Sequence, residues 1–328
     1  KIDDYNGAIS EGMAEPDFTI SGGRRASTAR SFLRPALRRK NLAVKTRAPV
    51  RRILFDGARA CGVEIGQDGE SREAWATREV ILSGGTYNSP QLLMLSGVGP
   101  ADMLQEHGIE VVLDRPAVGE NLQEHVNTVV NFSCSKPVSF DTEMRLDRMG
   151  QAFGQWLSFR SGRAAGLPIQ CVSFLRTQPE SERPDIELLV SPVGPDARLW
   201  FPGIRKPIGH QFSSRVAVLH PKSRGRVTLG SADPYAPPRV LWNLFEDPDD
   251  LRVLRDGVKT VRKLFATEPM SHVISHEIRP GMSTESDGDI DEFLRRNCET
   301  AQHPAGTCRM GVDPDAVVDG TLRVNGIE

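Results

Sequence analysis

The sequence predicts an α/β fold, α+β overall, and three observations carry that prediction. The run Glu79-Val80-Ile81-Leu82-Ser83 reads as a strand that ends at Gly84-Gly85 and is followed by a helix, the unit from which parallel sheets are built. Segments at 185–191, 213–219 and 226–229 read as strands of a second, antiparallel sheet, and 126–133 alternates moderately. Amphipathic periodicity marks helices around them, above all the one that opens at Asp247-Pro248. Its apolar side is Leu251, Leu254, Val258, Val261, Leu264 and Phe265, the recurrence that one face of a helix requires.

The 328 residues suffice for one large or two ordinary domains. A formal net charge of −2 offers no general attraction to nucleic acid or to an anionic membrane, so neither is a leading partner. No apolar run approaches the ~20 residues of a bilayer-spanning helix, and no secretory h-region opens the chain. Cys61, Cys134, Cys171, Cys298 and Cys308 are odd in number and form no C-x-x-C pair. They read as reduced thiols of a cytoplasmic protein, not as a zinc site. The chain starts at Lys1 without Met and stops at Glu328 without an evident terminal element, so both ends read as cuts through a longer protein.

Taken in order, Asp4-Tyr5-Asn6-Gly7 has turn chemistry, Ser21-Gly22-Gly23-Arg24-Arg25 is a basic connection, and 26–37 reads as a helix. Strands at 50–55 and 60–65 flank Asp56-Gly57, a strong hairpin signal. After the 79–83 strand, Ser89-Pro90 reads as the N-cap and first-turn proline of a helix over 91–96, stopped by Gly97. Gly84-Gly85 is either a cofactor contact or an ordinary junction, and it is not a GxGxxG fingerprint. A helix over 100–107, a strand over 109–113 and a turn over 118–125 follow; His125 in that turn reads as a hydrogen-bonded loop histidine. A helix over 145–161 precedes the sheet strands. Ser223-Arg224-Gly225 is expected to turn the 213–219 strand into one at 226–229. Trp200, Phe201 and Trp242 either line a substrate cavity or, as is commoner for aromatic residues, belong to the core. A short helix over 289–297 leads into Gln302-His303-Pro304-Ala305-Gly306-Thr307-Cys308-Arg309-Met310-Gly311, a Pro/Gly loop that can hold a histidine rigid and accessible.

Three stretches resemble the glucose–methanol–choline (GMC) oxidoreductases. Gly85 to Gly99, through Ser89-Pro90, Leu92-Leu93 and Ser96-Gly97-Val98-Gly99, is similar to the family's second signature. Val118 to His125 resembles V-G-x-N-L-Q-D-H, with Glu124 in place of the usual Asp, which keeps the charge and lengthens the side chain. The 302–311 loop resembles H-P-x-G-T-C-x-M-G. Within the family the similarity is strongest to choline dehydrogenases and alcohol dehydrogenases.

This resemblance implies a Rossmann-like FAD-binding domain, partial in 1–125, and a substrate domain in 126–296 built on an antiparallel sheet with flanking helices. Residues 297–328 would return to the FAD domain. It implies oxidation of an alcohol, choline-like or another primary alcohol, to an aldehyde. A neutral imidazole, with an ordinary pKa near ~6.5, suits the proton transfer, and no side chain can accept a hydride, so an organic cofactor is needed. By the resemblance that cofactor is FAD, and His303 is the base or one half of a base pair. Val50 would contact the adenine portion through its backbone, Ser83 and Gly84 would lie along the dinucleotide, and Asn121 would shape the flavin side. Oxygen or a quinone-like carrier would accept the electrons, which leaves a position peripheral to the inner membrane open, as is a homo-oligomer. The alternatives are a hydroxynitrile lyase-like member of the family and a truncated, non-catalytic remnant. As an internal portion lacking both family ends, the chain by itself is expected to be inactive.

Overall fold

A computed structural model describes residues 1–8, 11–67 and 69–328, and the chain divides into two units. The first comprises 1–42, 125–220 and 248–301; the second comprises 43–124, 221–247 and 302–328.

In the first unit a seven-stranded antiparallel sheet runs in the order Gly12–Ala14, Cys171–Leu175, Ile186–Ser191, Gln211–Val218, Val126–Cys134 and Ile274–Arg279, with Glu299–Thr300 also pairing on Val126–Cys134. Alternation along the strands turns Ile186, Leu188, Val216, Val130 and Phe132 into a buried apolar group. The helix Pro248–Phe265 supplies the complementary stripe, burying Leu251, Leu254, Val258, Val261 and Phe265. Gly257 lets the two approach closely, since a Cβ there would lie 2.6 Å from Val216 Cγ1. Phe265 stacks on Phe132 with ring centroids 4.7 Å apart. At the same helix end Arg262 donates to both carboxylate oxygens of the buried Glu277, at 2.9 and 2.8 Å. The helix Asp287–Asn297 starts with a reciprocal capping box between Ser286 and Asp289.

The second unit holds a three-stranded antiparallel sheet, Val50–Asp56, Arg59–Gln67 and Glu70–Trp75, so the hairpin expected at Asp56-Gly57 gains a third strand. Against it lies the helix Gly85–Leu95, in a core formed by Ile53, Leu93, Met94, Val98, Leu104, Val118, Leu229 and Val317. The Ile53 N–H donates to Ser96 Oγ at 2.8 Å, tying strand to helix end.

Several elements differ from expectation. The extended 79–83 stretch pairs with no strand among the described residues, and parallel strand pairing there is the two-residue match of Val98–Gly99 with Leu113–Asp114. The helix begins at Gly85, ahead of Ser89-Pro90, and carries Pro90 inside it. Arg226–Thr228 pairs with Arg239–Leu241, not with the Gln211–Val218 strand, because the chain leaves the first unit after His220 and Gly225 instead exchanges backbone bonds with Leu122. The 26–37 helix is a single π turn, Ala29–Leu33, followed by Arg34–Ala36. Residues 1–42 fall in the first unit and 221–247 in the second, so the units interleave more than a three-piece division at 125 and 296 describes.

Candidate active site

Within the second unit, residues 85–90, 119–124 and 302–308 are drawn together by their own backbones. The Gln123 N–H donates to the Ala305 carbonyl at 2.8 Å, and the Ala305 N–H returns to the Gln123 carbonyl at 3.0 Å. The Gly119 N–H donates to the Thr307 carbonyl at 2.9 Å. Between these bonds Asn121, itself at φ +63°, donates from Nδ2 to the Gly306 carbonyl at 3.2 Å, while its Oδ1 accepts from Arg224 Nε at 3.1 Å. The contact is close enough to demand glycine at 306: φ is +101°, and a Cβ would lie 2.3 Å from the Asn121 carbonyl oxygen.

The helix Gly85–Leu95 holds the loop from another direction, and Pro90 explains how. A helical residue at 90 would donate its N–H to the carbonyl of Thr86, but proline has none. That carbonyl accepts from the Thr307 hydroxyl instead, at 2.6 Å, and the Thr86 hydroxyl donates to the Pro304 carbonyl at 2.7 Å. A proline that looks like a helix start is thus an interior residue that frees an acceptor for the loop.

His303 follows Gln302, whose φ of +63° turns the backbone. Its N–H donates to both oxygens of Glu124, at 2.9 and 3.0 Å, and Glu124 is 4% exposed. The His303 side chain is exposed. Burial, and after it the charge of Glu124, push the Tyr87 hydroxyl above its ordinary range. Cys308, behind the loop, is pushed by burial to about 11, so its thiol stays protonated at neutral pH.

The other expected site residues fall in different places. Ser83 lines a cavity of about 820 Å³ together with Leu82, Ser89, Leu93 and Cys308. Gly84 is the exposed N-cap of the adjoining helix, with no side-chain cap on its first turn. Asn121 borders a smaller cavity of about 380 Å³ with Glu120, Arg309 and Asp315. Val50 is exposed at the start of its strand and lines neither cavity. His125 lies in the first unit with Nδ1 2.6 Å from the Val218 carbonyl oxygen, as a hydrogen-bonded loop histidine would. Sequence reading left Glu124, Thr86 and Pro90 out of the site; the signal for them was the S-P and E-H dipeptides inside the matched stretches.

Family models described as GMC oxidoreductase match residues 2–127 and 221–328. The chain belongs to the GMC oxidoreductase family. It is 39% identical, over 99% of its length, to an oxygen-dependent choline dehydrogenase of Brucella anthropi, and 41% identical to that of Rhizobium etli. It spans 59% of the length of these curated relatives. Among solved structures, formate oxidase from Aspergillus oryzae, a protein studied for its FAD modification, superposes with a TM-score of 0.87 at 27% identity, over 97% of this chain and 59% of that one. Pyridoxine 4-oxidase from Mesorhizobium loti gives 0.80 at 27% identity, over 97% of this chain and 58% of the other. The family's mixed helix-and-sheet architecture is therefore that of this chain, with its antiparallel sheets. These likenesses are to oxidoreductases and do not favour the lyase-like alternative. Among the described residues no helix is long and apolar enough to cross a membrane.

Proposed function

We propose that the protein is an FAD-dependent oxidoreductase that oxidises an alcohol, choline or another primary alcohol, to the aldehyde. The observation that carries this reading is the loop around His303. Two sequence stretches, 85–90 and 119–124, hold its backbone from separate directions while the residue itself remains exposed. A base fixed at the main chain and exposed can meet a substrate hydroxyl without its backbone first being ordered, which is the advantage of a preorganised site.

The residues present also fit a dinucleotide. The helix Gly85–Leu95 opens at Gly84 with no side chain capping its first turn, and the space where a Gly85 Cβ would sit is empty. A helix N-terminus bared in this way favours phosphate. Ser83, Gly84, Val50 and Asn121 are the residues we assign to the cofactor, with Ser83 and Gly84 nearest the phosphates. When bound, FAD supplies the hydride acceptor that no side chain can provide. His303 would take the hydroxyl proton, Glu124 and Thr307 would hold the loop during the transfer, and Cys308 would take no part. The electron acceptor would be oxygen or a quinone-like carrier.

The test is anaerobic mixing of the complete flavin-loaded protein with choline and a panel of other primary alcohols. Bleaching of the flavin absorbance by at least one of them is the expected result. A bound flavin that none of them reduces would contradict the proposal.

A further inference from the structure

We infer that Glu124 is a positioning residue for His303, setting the histidine through its backbone N–H. This rests on the reading of His303 as the base, and it adds a residue to which neither the matched family models nor the relatives' names assign a role.

The antiparallel contact between the two segments explains why such a residue is needed. Gln123 and Ala305 form a hydrogen-bonded pair, so the next residues, Glu124 and Pro304, stand at a position where a ladder makes no backbone bonds. Proline is harmless there because no N–H is required of it. The following N–H, that of His303, would be the next to seek a partner, but the backbone turns at Gln302 with φ +63°. Glu124 reaches past its own backbone to meet that N–H with both carboxylate oxygens, at 2.9 and 3.0 Å.

Two features make this more than an incidental contact. Glu124 is 4% exposed as a residue, and a buried charge is costly unless strong donors engage it. A charge-assisted N–H bond of this kind is roughly twice as strong as a neutral one, and it fixes a direction. The donor belongs to the residue whose side chain is to move the proton, so a slackened bond shifts the imidazole itself. A misplacement near 1 Å can cost ~10²-fold in rate. Glu124 also acts by reach: an aspartate here would end one methylene short of the N–H.

The experiment uses the complete flavin-loaded protein and two readouts, amide hydrogen exchange resolved at His303 and steady-state kinetics. In Glu124→Ala the His303 amide loses its protection while the Gln123 and Ala305 amides keep theirs, and kcat falls by ~10²-fold with KM little changed. Glu124→Gln retains one acceptor oxygen, so both its His303 exchange and its kcat lie between those of the native protein and Glu124→Ala. If Glu124→Ala does not fold, Glu124→Gln decides the matter by a selective rise in exchange at His303. Unchanged exchange at His303 would overturn the inference, as would a loss spread equally over the Gln123–Ala305 ladder. So would altered exchange with native kcat. Native turnover in His303→Ala would defeat the reading of the base while leaving the exchange result standing, so the two failures are distinguishable.

Discussion

At Gly306 the main chain adopts φ +101° with the Asn121 carbonyl where a side chain would begin. Gly306→Ala therefore meets both a left-handed conformation and a clash with backbone that cannot swing aside. We expect it to lower unfolding free energy by about 1–3 kcal/mol and to reduce turnover, as read by denaturant titration and assay of the complete protein. Cys308 gives a pH dependence at the same scale. Burial favours its protonated form in the folded state, so the folded pKa, about 11, lies above the ordinary 9.0. The stability linked to it is intact below about pH 9 and is lost as pH rises towards about 11. Denaturation midpoints across pH 8 to 11 should fall, and Cys308→Ala should flatten that fall; an unchanged slope would show that the thiol does not titrate as buried.

The helix Gly85–Leu95 couples to the His303 loop through one exchanged hydrogen bond. Pro90 withholds an N–H from the Thr86 carbonyl, and the Thr307 hydroxyl takes its place at 2.6 Å. Thr307→Val keeps the shape but leaves that carbonyl without its donor, at a cost of about 1–3 kcal/mol. Pro90→Ala offers a helical N–H to the same carbonyl, so the double variant should be less destabilised than the two single effects combined. Strict additivity in that cycle would mean the two residues do not share the acceptor. The same helix shows where sequence reasoning falls short. Ser89-Pro90 has the chemistry of a helix start, and the local pattern cannot reveal that residues 85–88 are already helical because a loop more than two hundred residues later satisfies the carbonyl that proline strands.

Across the whole chain, what was legible depended on how local its cause is. The helix from Pro248 to Phe265, the hairpin at Asp56-Gly57 and the strands at 185–191 and 213–219 are written in periodicity and turn chemistry, and the structure forms them with small shifts of boundary; the moderate alternation at 126–133 becomes the strand Val126–Cys134. The partner of the 226–228 strand was not legible, because strand pairing over distance depends on where the chain crosses between units. In the site, His303 stood out through its Pro/Gly loop and its family resemblance. Glu124 stood out only as a departure from the family's Asp, and its contact is not legible until its carboxylate is seen on the His303 N–H. In this reading the held histidine is the base that takes the hydroxyl proton as the alcohol is oxidised. The most direct test is the anaerobic rate of flavin reduction in the complete protein carrying His303→Ala, with flavin content measured alongside. The account predicts retained flavin and a rate lower by ~10²–10⁴-fold; retained flavin with a near-native rate would contradict it.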